Sequence, residues 1–394
     1  MKKFCLVGEK LGHSFSPEIH RKFGDYEYEL VEVQPDGLAD LLKNEEYGGF
    51  NITIPYKETV MQYLDDISDT ARRIGAVNLV IREDDGRLMG YNSDQFGFLY
   101  MIGKLGVDVT GLKCLVLGSG GASKAAQGAL SDLGAGEIVV ISRTGENNYQ
   151  NLEKHYDADI IVNTTPVGMY PNNGKKPINI SEFHYLKGVI DVIYNPYRTK
   201  LVLEAMVRGI PACGGLEMLV GQAWESSELF QNCEIETEMM EDVLDDFKRR
   251  NLNQILIGMP GAGKTTIGRE MAENMGREFV DIDEMIEQRQ GMSIPEIFEK
   301  YGENYFRDLE TKMLEEVCIK TGLVIATGGG VVKRSINYYI MKQNAVLVWI
   351  KRDLDKLETD GRPLSLSTPV EKIYEERKDI YAKWSDYYIH NKEK

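Results

Sequence analysis

Lys113-Cys-Leu-Val-Leu-Gly118-Ser-Gly120-Gly121-Ala-Ser-Lys-Ala125 and Gln254-Ile-Leu-Ile-Gly258-Met-Pro-Gly-Ala-Gly263-Lys264-Thr265-Thr266 share one pattern: a short apolar run, a glycine-rich turn, then a helix-forming segment. A buried strand that feeds a helix through such a turn presents backbone N–H groups, and the positive end of the helix dipole, to an anion. Each stretch therefore reads as the phosphate-binding start of its own α/β unit.

The second stretch is the more specific. Gly258 to Thr265 is a complete GxxxxGK[ST] match placed between an apolar strand and a helix. In such a loop the amides of Gly258, Gly261, Ala262, Gly263 and Thr266 surround phosphate oxygens, Lys264 neutralises the β and γ groups, and the Thr265 hydroxyl ligates Mg²⁺. A nucleoside triphosphate with Mg²⁺ is expected here, and the loop by itself does not name the acceptor. The first stretch gains meaning from the next strand along the chain. The apolar run Glu137-Ile-Val-Val-Ile141 ends in Ser142-Arg143-Thr144, where an NAD-binding fold would place an acid for the ribose 2′-hydroxyl. An arginine between two hydroxyls suits a 2′-phosphate instead, so NADP(H) is expected over NAD.

Working outward, 394 residues are too many for one ordinary core, and two or three packed units are expected at about 100 to 200 residues each. With 42% hydrophobic and 27% charged residues and no apolar run of about 18, the chain reads as globular, with no membrane span. The start, Met1 to Glu9, lacks a secretory apolar core, so a cytoplasmic location is expected. Five cysteines without a CxxC pair predict neither a disulfide framework nor a zinc site. A formal charge of -16, with no basic block to offset it, makes nucleic acid a poor partner. Oligomeric state is not legible.

Before residue 95, strand-like pieces (Phe4 to Val7, Tyr28 to Val33, Gly49 to Ile54, Val77 to Ile81) alternate with polar helical ones, which predicts a separate α/β lobe. Phe96 to Leu105 reads as a connecting helix. Trp224 to Arg250 has no Pro or Gly and ends in Lys248-Arg249-Arg250, so a single helix is expected to close the first unit and lead into the second.

Ordered pieces of the first 250 residues resemble the shikimate dehydrogenase family: Gly12-His-Ser14-Phe-Ser16-Pro17, Asn51-Ile-Thr53-Ile-Pro-Tyr-Lys57, Gly75-Ala-Val-Asn78, Asn92-Ser-Asp94, the Gly118 turn, Asn163 to Met169, Asp191-Val-Ile-Tyr194 and Gly215 to Gln222. The resemblance implies that Lys57 stabilises and protonates the oxygen of a carbonyl receiving hydride, with Asp94 as its partner. It also implies substrate contacts from Ser14, Ser16, Thr53, Asn78, Asp94, Tyr194 and Gln222. NADP(H) would lie along Gly118, Gly120, Gly121, Ala122, Ser142, Arg143, Thr144, Thr164, Met169, Gly215 and Met218. The chain departs from the family pattern at Arg21, Leu79 and Ser93, where Asn, Thr and Thr are usual.

Residues 252 to 390 resemble shikimate kinase through Phe279-Val-Asp281-Ile-Asp283, Ser293 to Phe298, Phe306-Arg307-Asp-Leu-Glu310, Gly328-Gly329-Gly330, Arg362-Pro363-Leu364 and Arg377. The resemblance implies ATP as donor and Asp283 as the acid that holds acceptor hydroxyls and takes a proton. Asp281 would act near Mg²⁺, Arg307 and Arg377 would clamp the acceptor carboxylate, Gly328 to Gly330 would border its ring, and Arg362 would close over the phosphates.

Together these imply an α/β chain in which residues 1-98 and 217-250 form a substrate lobe, 99-216 a Rossmann-like NADP lobe, and 251-394 a P-loop kinase domain with a parallel sheet. The expected activity is bifunctional: NADPH-dependent reduction of 3-dehydroshikimate to shikimate, then ATP-dependent phosphorylation of shikimate. The alternatives are a quinate/shikimate dehydrogenase fused to a kinase of another small hydroxy acid, or to an ATP-sensing regulatory domain. Asp283, Arg307 and Arg377 argue against a sensor, which needs no acceptor pocket.

Overall fold

In the computed structural model, which describes residues 3–12, 14–357 and 369–392, the apolar runs form three sheets. The first contains β1 (Lys3–Gly8), β2 (Glu27–Glu32), β3 (Tyr47–Ile52), β4 (Asp66–Ile67), β5 (Leu79–Arg82) and β6 (Leu88–Tyr91), in the spatial order β2-β1-β3-β5-β6-β4. It is mixed: β1 runs parallel to β2 and β3, whereas β5 is antiparallel to both β3 and β6. Cys5, Val7, Phe50, Ile52 and Val80 from its strands build the core of this lobe.

The second sheet holds β7 (Lys113–Leu117), β8 (Glu137–Ile141), β9 (Ile160–Asn163), β10 (Gly188–Asp191) and β11 (Ala212–Cys213), all parallel, in the order β11-β10-β9-β7-β8. Both faces are covered, which is why β7 and β9 read as unbroken apolar runs rather than alternating ones. The third holds β12 (Asn253–Ile257), β13 (Phe279–Asp281), β14 (Val324–Ala326), β15 (Ala345–Lys351) and β16 (Tyr387–His390), also all parallel, in the order β13-β14-β12-β15-β16. In both parallel sheets the first strand lies inside, where the strand order reverses, so its C-terminal turn opens into the crevice where open α/β sheets bind ligands. Gly118 (φ 109°) and Gly258 (φ 146°) make those turns with backbone angles that side-chain-bearing residues rarely adopt.

The chain divides into two units, Met1–Asp246 and Phe247–Lys394. The single helix expected over Trp224 to Arg250 is instead two, Leu216–Gln231 and Glu238–Asn251. Asn232 ends the first with a left-handed φ of 49°, and Ile235 N–H then donates to Glu228 Oε1 at 2.8 Å. Asparagine tolerates this cap conformation, so the break needs no Gly or Pro. The connecting helix begins earlier than Phe96: it spans Ser93–Leu105, with the Asn92 side chain accepting from Gln95 N–H. It crosses the helix Leu216–Gln231 where two glycines meet. A Cβ on Gly221 would lie 3.1 Å from Gly97 Cα, and beside this point Phe96 stacks on Trp224 with centroids 5.0 Å apart. Among the described residues no helix is long and apolar enough to cross a membrane.

Candidate active sites

The glycine crossing holds the N-terminal turn of Ser93–Leu105 beside Leu216–Gln231, and so places Asp94 near Met218 and Gln222. Lys57 arrives from the turn after β3, where Val77 N–H donates to its carbonyl at 2.8 Å and Tyr56 is buried beneath it. Lys57 Nζ and Asp94 Oδ2 form a direct ion pair, with side chains 17% and 9% exposed. A cleft of about 200 Å³ opens over the pair, lined by Ser14, Ser16, Thr53, Lys57, Asn78, Asp94, Tyr194 and Gln222, with Ala122, Gly215 and Met218 on the same walls. Every expected substrate contact of the first site thus converges on one place.

Sequence reasoning missed Asn51, which also lines this cleft and belongs to a buried polar chain. Tyr28 Oη donates to Asn51 Oδ1 (2.8 Å), Asn51 Nδ2 donates to Ser226 Oγ (2.9 Å), and Ser226 Oγ meets Ser93 Oγ at 3.0 Å. Ser93 in turn receives Asn78 Nδ2 at 3.0 Å and gives its N–H to Asn78 Oδ1 at 2.7 Å. Buried polar groups need such partners. The serine at position 93, which departs from the usual Thr, therefore holds Asn78 in place at the cleft, while its link to Ser226 and Asn51 had no trace in sequence.

On the cofactor side, the aliphatic stem of Lys57 lies against the Gly118 turn: a Cβ on Gly121 would sit 3.1 Å from Lys57 Cδ. Thr164 Oγ1 donates to Leu117 O (2.7 Å), which packs Thr164 beside Gly118. At the end of β8, Ser142 Oγ accepts from Gly145 N–H at 2.9 Å, while Arg143 and Thr144 are exposed. Met169 is 45% exposed. The loops bearing Thr164 and Tyr194 are tied together by Asp191, which accepts from Asn163 Nδ2 (3.1 Å), Ile193 N–H (3.1 Å) and Thr199 Oγ1 (2.7 Å). Burial pushes this carboxyl up to about 7 despite those donors.

In the second unit Lys264, 8% exposed, donates to Gly258 O (3.0 Å) and Met259 O (2.9 Å). Thr265 Oγ1 donates to Asp281 Oδ2 at 2.8 Å, and Asp281 Oδ1 caps the helix Ile282–Gln290 by accepting from Asp283 N–H. A hydroxyl beside a carboxylate is an all-oxygen donor set, which fits Mg²⁺ with its remaining positions filled by water and phosphate. Arg352 Nη1 and Asn391 Nδ2 donate to the loop carbonyls of Gly261 (3.2 Å) and Ala262 (2.9 Å), a pair of supports that sequence reasoning missed.

A cleft of about 390 Å³ joins Lys264 and Thr265 to Asp281, Asp283, Arg307 and Gly328–Gly330. Asp283 Oδ1 and Glu310 Oε1 are buried without hydrogen-bond partners among the described residues, and both face Gly328, where a Cβ would lie 2.8 and 2.9 Å from them. Burial, and then the charges of Glu310 and Asp281, shift Asp283 upward. Arg307 donates through Nη1 to Glu310 Oε2 (2.8 Å) and through Nε to Glu303 Oε1 (3.3 Å). Arg377, expected as a second carboxylate clamp, is buried outside the lining of this cleft and donates through Nη1 to Gly329 O at 2.8 Å. Arg362 lies outside the described residues.

The fold and these clefts define a hydride-transfer site and a phosphoryl-transfer site in one α/β chain. The shikimate dehydrogenase substrate binding domain model matches residues 6–80, and the shikimate kinase model matches residues 260–394. The NADP(+)-dependent shikimate dehydrogenase of Clostridium beijerinckii is 37% identical over 267 residues, covering 63% of this chain and 98% of that protein. Among solved structures, shikimate dehydrogenase 1 from Peptoclostridium difficile is 39% identical with a TM-score of 0.59, over 63% of this chain and 98% of that one. The Thermus thermophilus shikimate 5-dehydrogenase in complex with NADP(H) and shikimate is 31% identical with a TM-score of 0.57, over 62% and 99%. The chain belongs to the shikimate dehydrogenase family and carries a shikimate kinase domain behind it.

Proposed function

We propose that this bifunctional shikimate-pathway enzyme reduces 3-dehydroshikimate to shikimate with NADPH at the Lys57 cleft and phosphorylates shikimate with ATP at the Asp283 cleft, in the cytoplasm. The carrying observation is that each unit has its own cleft, one built on a partly buried Lys–Asp pair beside a nucleotide-binding turn, the other on acids and an arginine facing a P-loop. We assign residues 1-98 and 217-250 to substrate binding, 99-216 to NADP(H) and 251-394 to the kinase.

In the first cleft NADPH supplies hydride to the carbonyl carbon, and negative charge gathers on the oxygen. Lys57 stabilises that charge and delivers the proton, and Asp94 holds the ammonium in place. Ser14, Ser16, Thr53, Asn78, Tyr194 and Gln222 match a polyol acid whose carboxylate and hydroxyls each need a partner once dehydrated. In the second cleft MgATP supplies the phosphoryl group. Asp283 accepts the acceptor hydroxyl and takes its proton, Arg307 holds the carboxylate, Arg377 joins it only by turning from the Gly329 carbonyl that it meets here, and Lys264 with Arg362 steadies the phosphates. Incubation with 3-dehydroshikimate, NADPH, ATP and Mg²⁺ tests both steps: NADPH should be consumed and a phosphorylated shikimate appear. Shikimate accumulating unphosphorylated would remove the kinase assignment, and faster NADPH consumption with 3-dehydroquinate in a parallel incubation would favour the quinate alternative.

A further inference from the structure

Gly328–Gly330 lies just beyond β14 and walls the second cleft. Its middle residue is the point where two functional loops touch. A Cβ on Gly329 would lie 2.5 Å from Pro260 Cδ and 2.6 Å from Pro260 N, so Gly329 rests directly on the phosphate-binding loop. Its neighbours face the acceptor side, Gly328 toward Asp283 and Glu310, Gly330 toward Arg307. The Gly329 carbonyl points the other way and accepts from Tyr381 Oη at 2.5 Å as well as from Arg377 Nη1. Whatever holds that carbonyl sets how the acceptor wall meets the loop that carries the transferred phosphate.

We propose that Tyr381 is a positioning residue for phosphoryl transfer: its hydroxyl anchors the Gly329 carbonyl and so fixes the acceptor wall against the phosphate loop. This rests on the kinase reading of the second unit. Tyr381 sits one turn after Arg377 in the helix Val370–Trp384, fully buried, its ring 5.9 Å from that of Trp349. Burial pushes its hydroxyl up to about 12, so it remains a donor throughout the working pH range. On the kinase reading Arg377 has a competing task, because a carboxylate bound in the cleft would draw its guanidinium away from the Gly329 carbonyl. Tyr381, a neutral and fully buried donor, keeps the carbonyl satisfied when Arg377 turns to substrate. The energetic case is that of phosphoryl transfer in general, where catalysis is mostly alignment and small displacements are costly.

Tyr381→Phe deletes one oxygen and keeps the packed ring. In the intact enzyme, assayed with shikimate, ATP and Mg²⁺, the variant should keep its melting temperature and its KM for ATP. Its kcat should fall about ten-fold, as expected for one lost aligning hydrogen bond, and calorimetric binding of shikimate without ATP should weaken less than kcat. Unchanged kcat overturns the proposal. So does an equal rise in both KM values with a lowered melting temperature, the mark of a purely structural tyrosine. Wild-type enzyme inert toward shikimate would instead remove the kinase reading itself.

Discussion

Arg307 is 5% exposed and already neutralised by Glu310 and Glu303 before any acceptor is present. A buried guanidinium without such partners would be strongly unfavourable, so the pair keeps the cation in place at the cleft wall. Gly330 is the space it occupies, because a Cβ there would overlap the guanidinium. Gly330→Ala should therefore displace Arg307, raising the kinase KM for shikimate about ten-fold, or about 1.4 kcal/mol, and leaving the dehydrogenase unaffected. Steady-state kinetics of both activities on one preparation checks this, and an unchanged KM would mean that Arg307 does not bind the acceptor. Arg307 is legible through its motif. Glu310 as its partner is not, since a glutamate in a charged helix ordinarily reads as a solvated one.

At the scale of elements, the helix Ser16–Phe23 is joined to the first lobe through His20. The imidazole stacks on Tyr28 (3.9 Å, 11°), and its Nδ1 meets Tyr26 Oη at 2.7 Å and Ser227 Oγ at 3.2 Å. Burial lowers its pKa to about 3, so the folded first unit refuses a proton that the unfolded chain binds below about 6.5. His20 therefore contributes stability that is complete above pH 6.5 and is lost as pH falls toward 3, with a slope of up to about 1.4 kcal/mol per pH unit. Asp191, raised to about 7, has the opposite slope between its unfolded value near 4 and 7, because the fold retains a proton that the open chain has released. The stability difference between wild type and His20→Asn should thus widen as pH rises from 4 to 6.5, read by urea titration of the intact chain with dehydrogenase activity marking the first unit. A pH-independent difference would refute a neutral buried imidazole. Helix boundaries were the least legible elements: an acidic run without Pro or Gly hid the cap at Asn232, and Gly97 and Gly221 reveal their helix crossing only once both helices are placed.

At the scale of the molecule, each unit has its own core and its own cleft. Lys57→Ala should lower shikimate oxidation by at least about 10²-fold and leave phosphorylation intact, and Lys264→Ala should do the reverse. Loss of both activities from either substitution, in protein that remains folded by circular dichroism, would sink the two-site assignment.

What the residues alone determined is local: two phosphate-binding turns, the hydroxyl-flanked Arg143 at a strand end, and short motifs whose glycines, acids and lysines bear chemistry wherever they are placed. These signals survive in one dimension because backbone angles and side-chain type are properties of a few neighbouring positions. Only the tertiary structure decided that Ser93 and Ser226 orient Asn78 and Asn51, and that Tyr381 and Arg377 converge on Gly329. Those contacts join segments far apart in the chain, and sheet order and helix crossings, not local propensity, bring them within hydrogen-bonding distance.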